Sequence, residues 1–263
     1  MHLIDTHCHL TFGPLAGDAE AVLRRSREAG VTAWITVGTD AAHNRAAAEL
    51  AGRFDNLYAA VGLHPHDAKD VTGEILAELA QLAGGQRVVA LGEMGLDYHY
   101  DHSPRPVQRR VFVQQLHLAR DLHLPVIIHS RNAFDETLEI LDEFGLGLKG
   151  VVFHCFGGDA GQARRLVERG YYVSFTGIVT FRNAETARRA ALAVPLERLM
   201  LETDCPYMSP EPLRRQKVNE PALMVHTARF LAQLKAVEFE SFAESVSATS
   251  RGFFDIPMPS DPR

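Results

Sequence analysis

A chain of 263 residues with 46% hydrophobic and 23% charged content has ordinary globular composition and enough length for a large core. Its formal net charge of −6 excludes a polycation, so a nucleic-acid partner would be held by a local basic patch or through metals rather than by the global field. Three widely spaced cysteines argue against a disulfide framework; no signal-like segment opens the chain and no run approaches the roughly 20 apolar residues of a membrane span, so a soluble, cytoplasmic protein is expected.

Apolar strand candidates alternate with helical patterns along the chain. The first strand, about 2–7, runs into His7-Cys8-His9. Period-two alternation puts both imidazoles on one face, where they can share an ion. Cys8 then points away from them, as a small buried apolar residue; a thiolate ligand is the alternative. A second strand is expected at 32–38 and a third at 57–63, the latter followed by His64-Pro65-His66. His64 is a candidate to donate to a substrate oxygen or protonate a leaving group; capping a turn is the structural alternative. A fourth strand at 87–92 precedes Glu93, which sits among Gly92, Met94 and Gly95. Those glycines allow close approach of backbone or ion.

An apolar stripe through Val107, Val111, Leu118 and Leu122 predicts a helix over 106–122. A fifth strand at 125–129 opens on Pro125 and ends at His129, and a sixth at 150–154 ends at His154. A helix from Ala160 to Arg169 is expected to stop at Gly170. Strands at 171–176 and 198–203 complete the set, the last leading to Asp204. Asp204 is expected to bind an ion and to orient or deprotonate the attacking water, and Glu202 to stand behind a ligand. Residues from Asn219 to about Phe254 read as closing helices, and 256–263 as a flexible tail.

Eight strand and helix units imply parallel pairing and a TIM-like (β/α)8 barrel in one domain over residues 1–255, with a metal site at the C-terminal strand ends. A doubly wound open sheet is the alternative, but it would gather ligands from two or three strands rather than five. The metal candidates are His7, His9, Glu93, His129, His154 and Asp204; the catalytic candidates are Asp204, Glu93 and His64. Metal coordination lowers the pKa of bound water towards about 7. The four lysines, Lys69, Lys149, Lys217 and Lys235, end no strand candidate, which leaves a bridging role to Glu93. His64, Arg131, Arg215 and Lys217 are candidates to bind substrate phosphate, with Arg105, Arg109, Arg110, Arg182 and Arg214 nearby in sequence context. Tyr98, Phe156, Phe181 and Tyr207 are candidates to stack on bases. The histidines at 2, 43, 99, 102, 117, 123 and 226 have no such context and read as surface or helix residues.

These pieces together resemble the TatD family of metal-dependent deoxyribonucleases within the amidohydrolase superfamily. The matching segments are IDTHCHL at 4–10, VGLHPH at 61–66, GEMGLDY at 92–98, PVIIHSRNAFDETLEIL at 125–141, HCFGG at 154–158, VSFTGIVTF at 173–181 and LETDCPYMSP at 201–210. The resemblance implies two, in some members three, divalent ions (Mg²⁺, Mn²⁺ or Zn²⁺). It assigns His7, His9, Glu93 and Asp204 to one ion and Glu93, His129 and His154 to the other, with His64 beside the scissile phosphate. It also implies 3′-to-5′ exonuclease action on single-stranded DNA, with RNA as a further substrate, and a place in DNA repair. No membrane and no obligate protein partner are implied. Departures fall at the substrate end: RRQKVNEP at 214–221 places Gln216 and Val218 where the family often has glycine and arginine, Asn132 stands where aspartate is common, and Thr249-Ser250-Arg251 alters a late family pattern. The competing functions are a hydrolase of another bond, such as a D-aminoacyl-tRNA deacylase, and a non-enzymatic scaffold that binds nucleic acid.

Overall fold

A computed structural model describes residues 2–258. All eight expected strands form. The first half of the order is β1 (Leu3–Cys8), α1 (Ala19–Glu28), β2 (Val31–Val37), α2 (Ala41–Ala51), β3 (Leu57–Val61), α3 (Gly73–Ala83), β4 (Val88–Asp97) and α4 (Arg105–Asp121). The second is β5 (Val126–Arg131), α5 (Phe134–Phe144), β6 (Val151–Phe153), α6 (Ala160–Glu168), β7 (Tyr172–Phe175), α7 (Glu185–Ala193), β8 (Leu199–Leu201), α8 (Met224–Leu234) and α9 (Phe239–Phe254). The strands make one sheet in the order β1 to β8, and the pairs β1–β2, β3–β4, β4–β5, β5–β6 and β7–β8 are parallel. This is the TIM-like (β/α)8 arrangement. The part of the expected tail at 259–263 lies outside the described residues.

The chain divides into two compact units. The first comprises the described residues of Met1–Thr36 and His154–Arg263, the second Val37–Phe153. Within the first, β8 returns beside β1: Asp204 N donates to His7 O at 2.9 Å, His9 N to Cys205 O at 2.8 Å and Thr6 Oγ1 to Leu201 O at 2.9 Å. α9 covers this end with Phe242, Phe253 and Phe254 buried, and Ser247 Oγ donates to His2 O. The strands are buried on both faces, as near-continuous apolar runs require. Burying one such side chain stabilises by about 1.5–3 kcal/mol. α6 carries a full capping box between Asp159 and Gln162 and ends before Gly170 at φ +76°, as the sequence predicts.

In the second unit two strands are longer than expected. β4 runs to Asp97 and β5 to Arg131, so Glu93 lies inside its strand rather than just past it, and His129 lies before the end of its strand rather than at it. The added length pairs Gly95 with His129 and Leu96 with Ser130. Glycine permits it: a Cβ at Gly92 would meet Ile127 O at 2.6 Å, and one at Gly95 would overlap the His129 carbonyl oxygen. Both glycines also sit at positive φ, near +140°, a backbone region closed to most side chains.

Candidate metal centre

The first unit brings His7, His9, His154 and Asp204 together. His7 and His9, two apart on β1 and just past it, turn their Nε2 atoms to within 3.2 Å of each other. Asp204 Oδ1 lies 3.2 Å from His9 Nε2 and 3.7 Å from His7 Nε2. Two nitrogen ligands on one tetrahedral zinc ion stand about 3.3 Å apart, given bond lengths near 2.0–2.1 Å. The spacing therefore suits a shared cation. The His154 ring stacks on His7 at 4.1 Å and 12°, and its Nδ1 faces Glu202 Oε1 at 3.5 Å. Glu202 is buried, and its Oε2 finds no hydrogen-bond partner among the described residues. A buried carboxylate oxygen left so is costly unless a cation faces it. His7, His154 and Glu202 form a second close set of donor atoms, so Glu202 stands as near to ion binding as the ligands it was expected to support.

Asp204 is held from several sides. It adopts φ +52°, a left-handed conformation that side chains rarely take without support. Asp5 supplies part of that support, accepting from Thr203 N at 2.9 Å and Thr203 Oγ1 at 2.6 Å. Asn219 Nδ2 donates to Thr203 O at 3.0 Å and Tyr207 O at 2.6 Å. Burial opposes ionisation of Asp204, but the hydrogen bond with His9 and the charges of His7 and His9 outweigh it and hold the carboxyl below its ordinary range. Burial pushes Asp5 up to about 7 instead.

Cys8 is fully buried beside Asp5 and Cys205, and its Sγ donates to Ile35 O at 3.3 Å. Burial raises its thiol well above the ordinary value. It is a packed thiol, as the alternation of the strand predicts. Cys155, half-buried, rests its sulfur 3.8 Å from Met208 Sδ.

The second unit gathers His64, Glu93 and His129, with Asp97 behind them. Glu93 Oε1 lies 2.7 Å from His129 Nδ1 and 3.4 Å from His64 Nε2. His129 Nε2 lies 3.0 Å from Asp97 Oδ2. A neutral imidazole has one N–H. Donating it to Asp97 leaves the Nδ1 lone pair facing a carboxylate oxygen, an arrangement completed by a proton or a metal ion. This is the carboxylate–histidine pattern that orients metal-binding imidazoles. Burial opposes ionisation of Asp97, but hydrogen bonds from His129, Tyr100 N and His66 hold its carboxyl far below the usual range. His64 Nδ1 accepts from His66 N at 3.1 Å and caps the turn Pro65–Asp70; the capping and site-facing readings are both true of one ring. Burial lowers His64 to about 4, so near neutrality it is an uncharged donor through Nε2.

Three buried amides that sequence reasoning missed set these backbones in place. Asn44 on α2 donates to Gly62 O at 2.8 Å and accepts from Gly62 N at 3.0 Å. Gln115 on α4 does the same for Leu63, at 3.0 and 2.8 Å. Gln108 accepts from Asp97 N at 2.8 Å and donates to Asp97 O at 3.1 Å. Each satisfies a buried N–H and C=O pair that the sheet leaves open. No motif marks them; a Gln on the apolar stripe of a helix is the one available signal.

The expected substrate residues fare unevenly. Tyr98 is engaged: its hydroxyl donates to Glu136 Oε2 at 2.9 Å and Arg105 covers its ring at 4.3 Å. Phe156 is buried against Phe175 and is core. Arg105 pairs with Asp101, and Arg109 with Glu136 and Glu143. Arg214 lies over Phe181 at 4.1 Å. Arg215 and Lys217 are exposed between β8 and α8, with no hydrogen bond or ion pair to the first cluster among the described residues. Arg131 is exposed at the end of β5. Two histidines read as featureless, His99 and His102, instead gather with Tyr100 beside His66.

A (β/α)8 sheet with His and carboxylate donor sets past or near its strand ends defines the class of barrel metallohydrolases. Comparison narrows the class. The sequence profile described as TatD related DNase matches residues 4–255, and the chain belongs to that family. It is 40% identical to the uncharacterized metal-dependent hydrolase YabD of Bacillus subtilis (strain 168), covering 97% of this chain and 99% of that one. It is 37% identical to the 3′-5′ ssDNA/RNA exonuclease TatD of Cronobacter sakazakii, over 88% and 89% of the two chains. The crystal structure of YjjV, a TatD homolog from Escherichia coli K12, superposes with a TM-score of 0.92 at 34% identity, over 97% and 98% of the chains. The protein is a metal-dependent hydrolase of the TatD family. Among its described residues no helix is long and apolar enough to cross a membrane.

Proposed function

We propose that this hydrolase cleaves phosphodiester bonds, acting 3′ to 5′ on single-stranded DNA and, by the same chemistry, on RNA. Divalent ions would be held by His7, His9, His154 and Asp204 and by Glu93 and His129. Bound there, they supply the Lewis acidity and activated water that phosphodiester hydrolysis needs near neutral pH. Asp204, kept ionised beside His9, takes up the proton of the attacking water. His64, neutral and carrying its proton on Nε2, donates a hydrogen bond to a phosphate oxygen. Arg131 offers its guanidinium fork to a neighbouring phosphate; Arg215 and Lys217 add positive charge further out.

The observation that carries the proposal is the convergence of His7, His9 and Asp204 at 3.2–3.7 Å. The relatives add that a 37% identical protein bears an exonuclease name. Imidazole-rich donor sets favour Zn²⁺ over Mg²⁺, which prefers oxygen. The test is degradation of 3′- and 5′-labelled single-stranded oligonucleotides with each metal, with chelator, and with the variant His129→Ala plus Asp204→Ala. Metal-dependent shortening from the 3′ end, lost in the variant, is expected. Intact oligonucleotides alongside amino-acid release from charged tRNA would replace this reading with the deacylase one.

A further inference from the structure

We propose that His66, Tyr100, His102 and Arg131 form a nucleobase subsite beside the second cluster; the inference rests on the phosphodiesterase reading and adds where a base would sit. Three separate segments deliver these side chains: the turn after β3, the loop after β4 and the last residue of β5. The rings of Tyr100 and His102 are parallel, at 6° and 5.4 Å between centroids. His66 stands edge-on to both, at 5.4 Å and 88° to Tyr100 and 4.7 Å and 82° to His102. The Arg131 guanidinium lies 4.8 Å over the Tyr100 ring.

Water covers much of this assembly. Tyr100 is 50% exposed, and His102 and Arg131 are exposed too. A large exposed aromatic gains little from folding, yet its backbone is fixed. Asp97 Oδ1 accepts from both His99 N and Tyr100 N at 3.0 Å. Ser103 Oγ donates to His66 O at 2.7 Å and accepts from Lys69 N at 3.0 Å. The same Asp97 carboxylate accepts, through Oδ2, from His66 Nε2 and His129 Nε2, each at 3.0 Å. One buried group thus sets the ring platform and a metal-ligand candidate together.

The chemistry selects a flat π system bearing an anion. Parallel rings and a guanidinium plane stack on a base, and the guanidinium also pairs with phosphate. Among the described residues Arg131 makes no ion pair, and the neighbouring Asp101 is taken by Arg105 at 2.9 Å. A nucleotide base with its phosphate meets both demands, whereas a bare phosphate uses only the arginine.

The test uses the metal-loaded enzyme and two phosphorothioate oligonucleotides that resist cleavage, one with a 3′-terminal 2-aminopurine and one with abasic 3′ positions. Tyr100→Leu combined with His102→Ala is expected to weaken binding of the base-bearing strand about tenfold, to abolish 2-aminopurine quenching, and to leave the abasic strand unchanged; Tyr100→Phe restores the wild-type values. No change, or equal weakening of both strands, overturns the subsite. Base-dependent binding without cleavage of ordinary DNA would retain the subsite and overturn the nuclease reading; cleavage indifferent to the substitutions would do the reverse.

Discussion

The cluster around His7 and the cluster around Glu93 arrive at imidazole and carboxylate donor sets by different routes. In the first unit two ligand candidates come from one short motif, and their Nε2 atoms face each other at 3.2 Å. In the second unit Glu93 and His129 come from neighbouring strands and approach at 2.7 Å where glycines let the strands close and Asp97 backs His129, while three helix-borne amides hold the backbones of Gly62, Leu63 and Asp97. The His7–His9 pair of the first cluster is encoded locally, and the second cluster by packing. A local motif survives small shifts of its surroundings, because strand alternation alone keeps its rings on one face. A packed cluster is only as well placed as the residues that clamp it.

That difference can be broken experimentally. Asp204→Asn keeps the volume of the side chain but removes its charge, so turnover is expected to fall about 10²–10⁴-fold, with less metal retained after gel filtration. Unchanged turnover would remove Asp204 from the chemistry. Glu93→Ala is expected to cost the ion of the second cluster, and metal analysis reads the number lost: two ions lost would support the sharing that the family resemblance implies.

Gln115→Leu should act through the scaffold. It leaves Leu63 N–H and C=O buried without their partner, at a cost of about 2–4 kcal/mol, visible as a lower urea midpoint. In the first unit neighbouring backbone takes the corresponding role, with Asp204 N donating to His7 O and His9 N to Cys205 O. Asp97→Asn sharpens the contrast: metal affinity should drop about 10–100-fold, measured by competition with a chelating dye. A drop as large for Cys8→Ala would show that the first cluster also depends on its packing. The smallest effect is expected for Asp159→Ala, which removes the α6 capping box at about 1 kcal/mol and should leave metal content unaltered. It separates loss of stability from loss of ligands.

Apolar runs separated by helical spacing were enough to place all eight strands, because a strand buried on both faces must read as a continuous apolar stretch. The HxH motif and the family-like segments marked His7, His9, Glu93, His129, His154 and Asp204 as candidates; the fold gathers His7, His9, His154 and Asp204 in one unit and Glu93 and His129 in the other. The true ends of β4 and β5 were not legible: glycine reads as a strand breaker until a neighbouring backbone is seen to need its missing Cβ. Tyr98 and Phe156 show the opposite error. An aromatic beside a motif looks available for a base, yet one is bonded to Glu136 and the other is buried.

The sequence by itself determined the order of elements, the parallel sheet and the imidazole and carboxylate types of the candidate donor sets, since each follows from local periodicity and side-chain chemistry. Tertiary structure alone decided that Asp97 sits behind His129, that Glu202 is buried beside His154, and that His66, Tyr100, His102 and Arg131 share one exposed corner. The reason is distance along the chain. Partners separated by 30 residues or more, such as His66 and Asp97 or Asp5 and Thr203, leave no periodic trace in either segment, and only the folded backbone brings their polar atoms within hydrogen-bond reach.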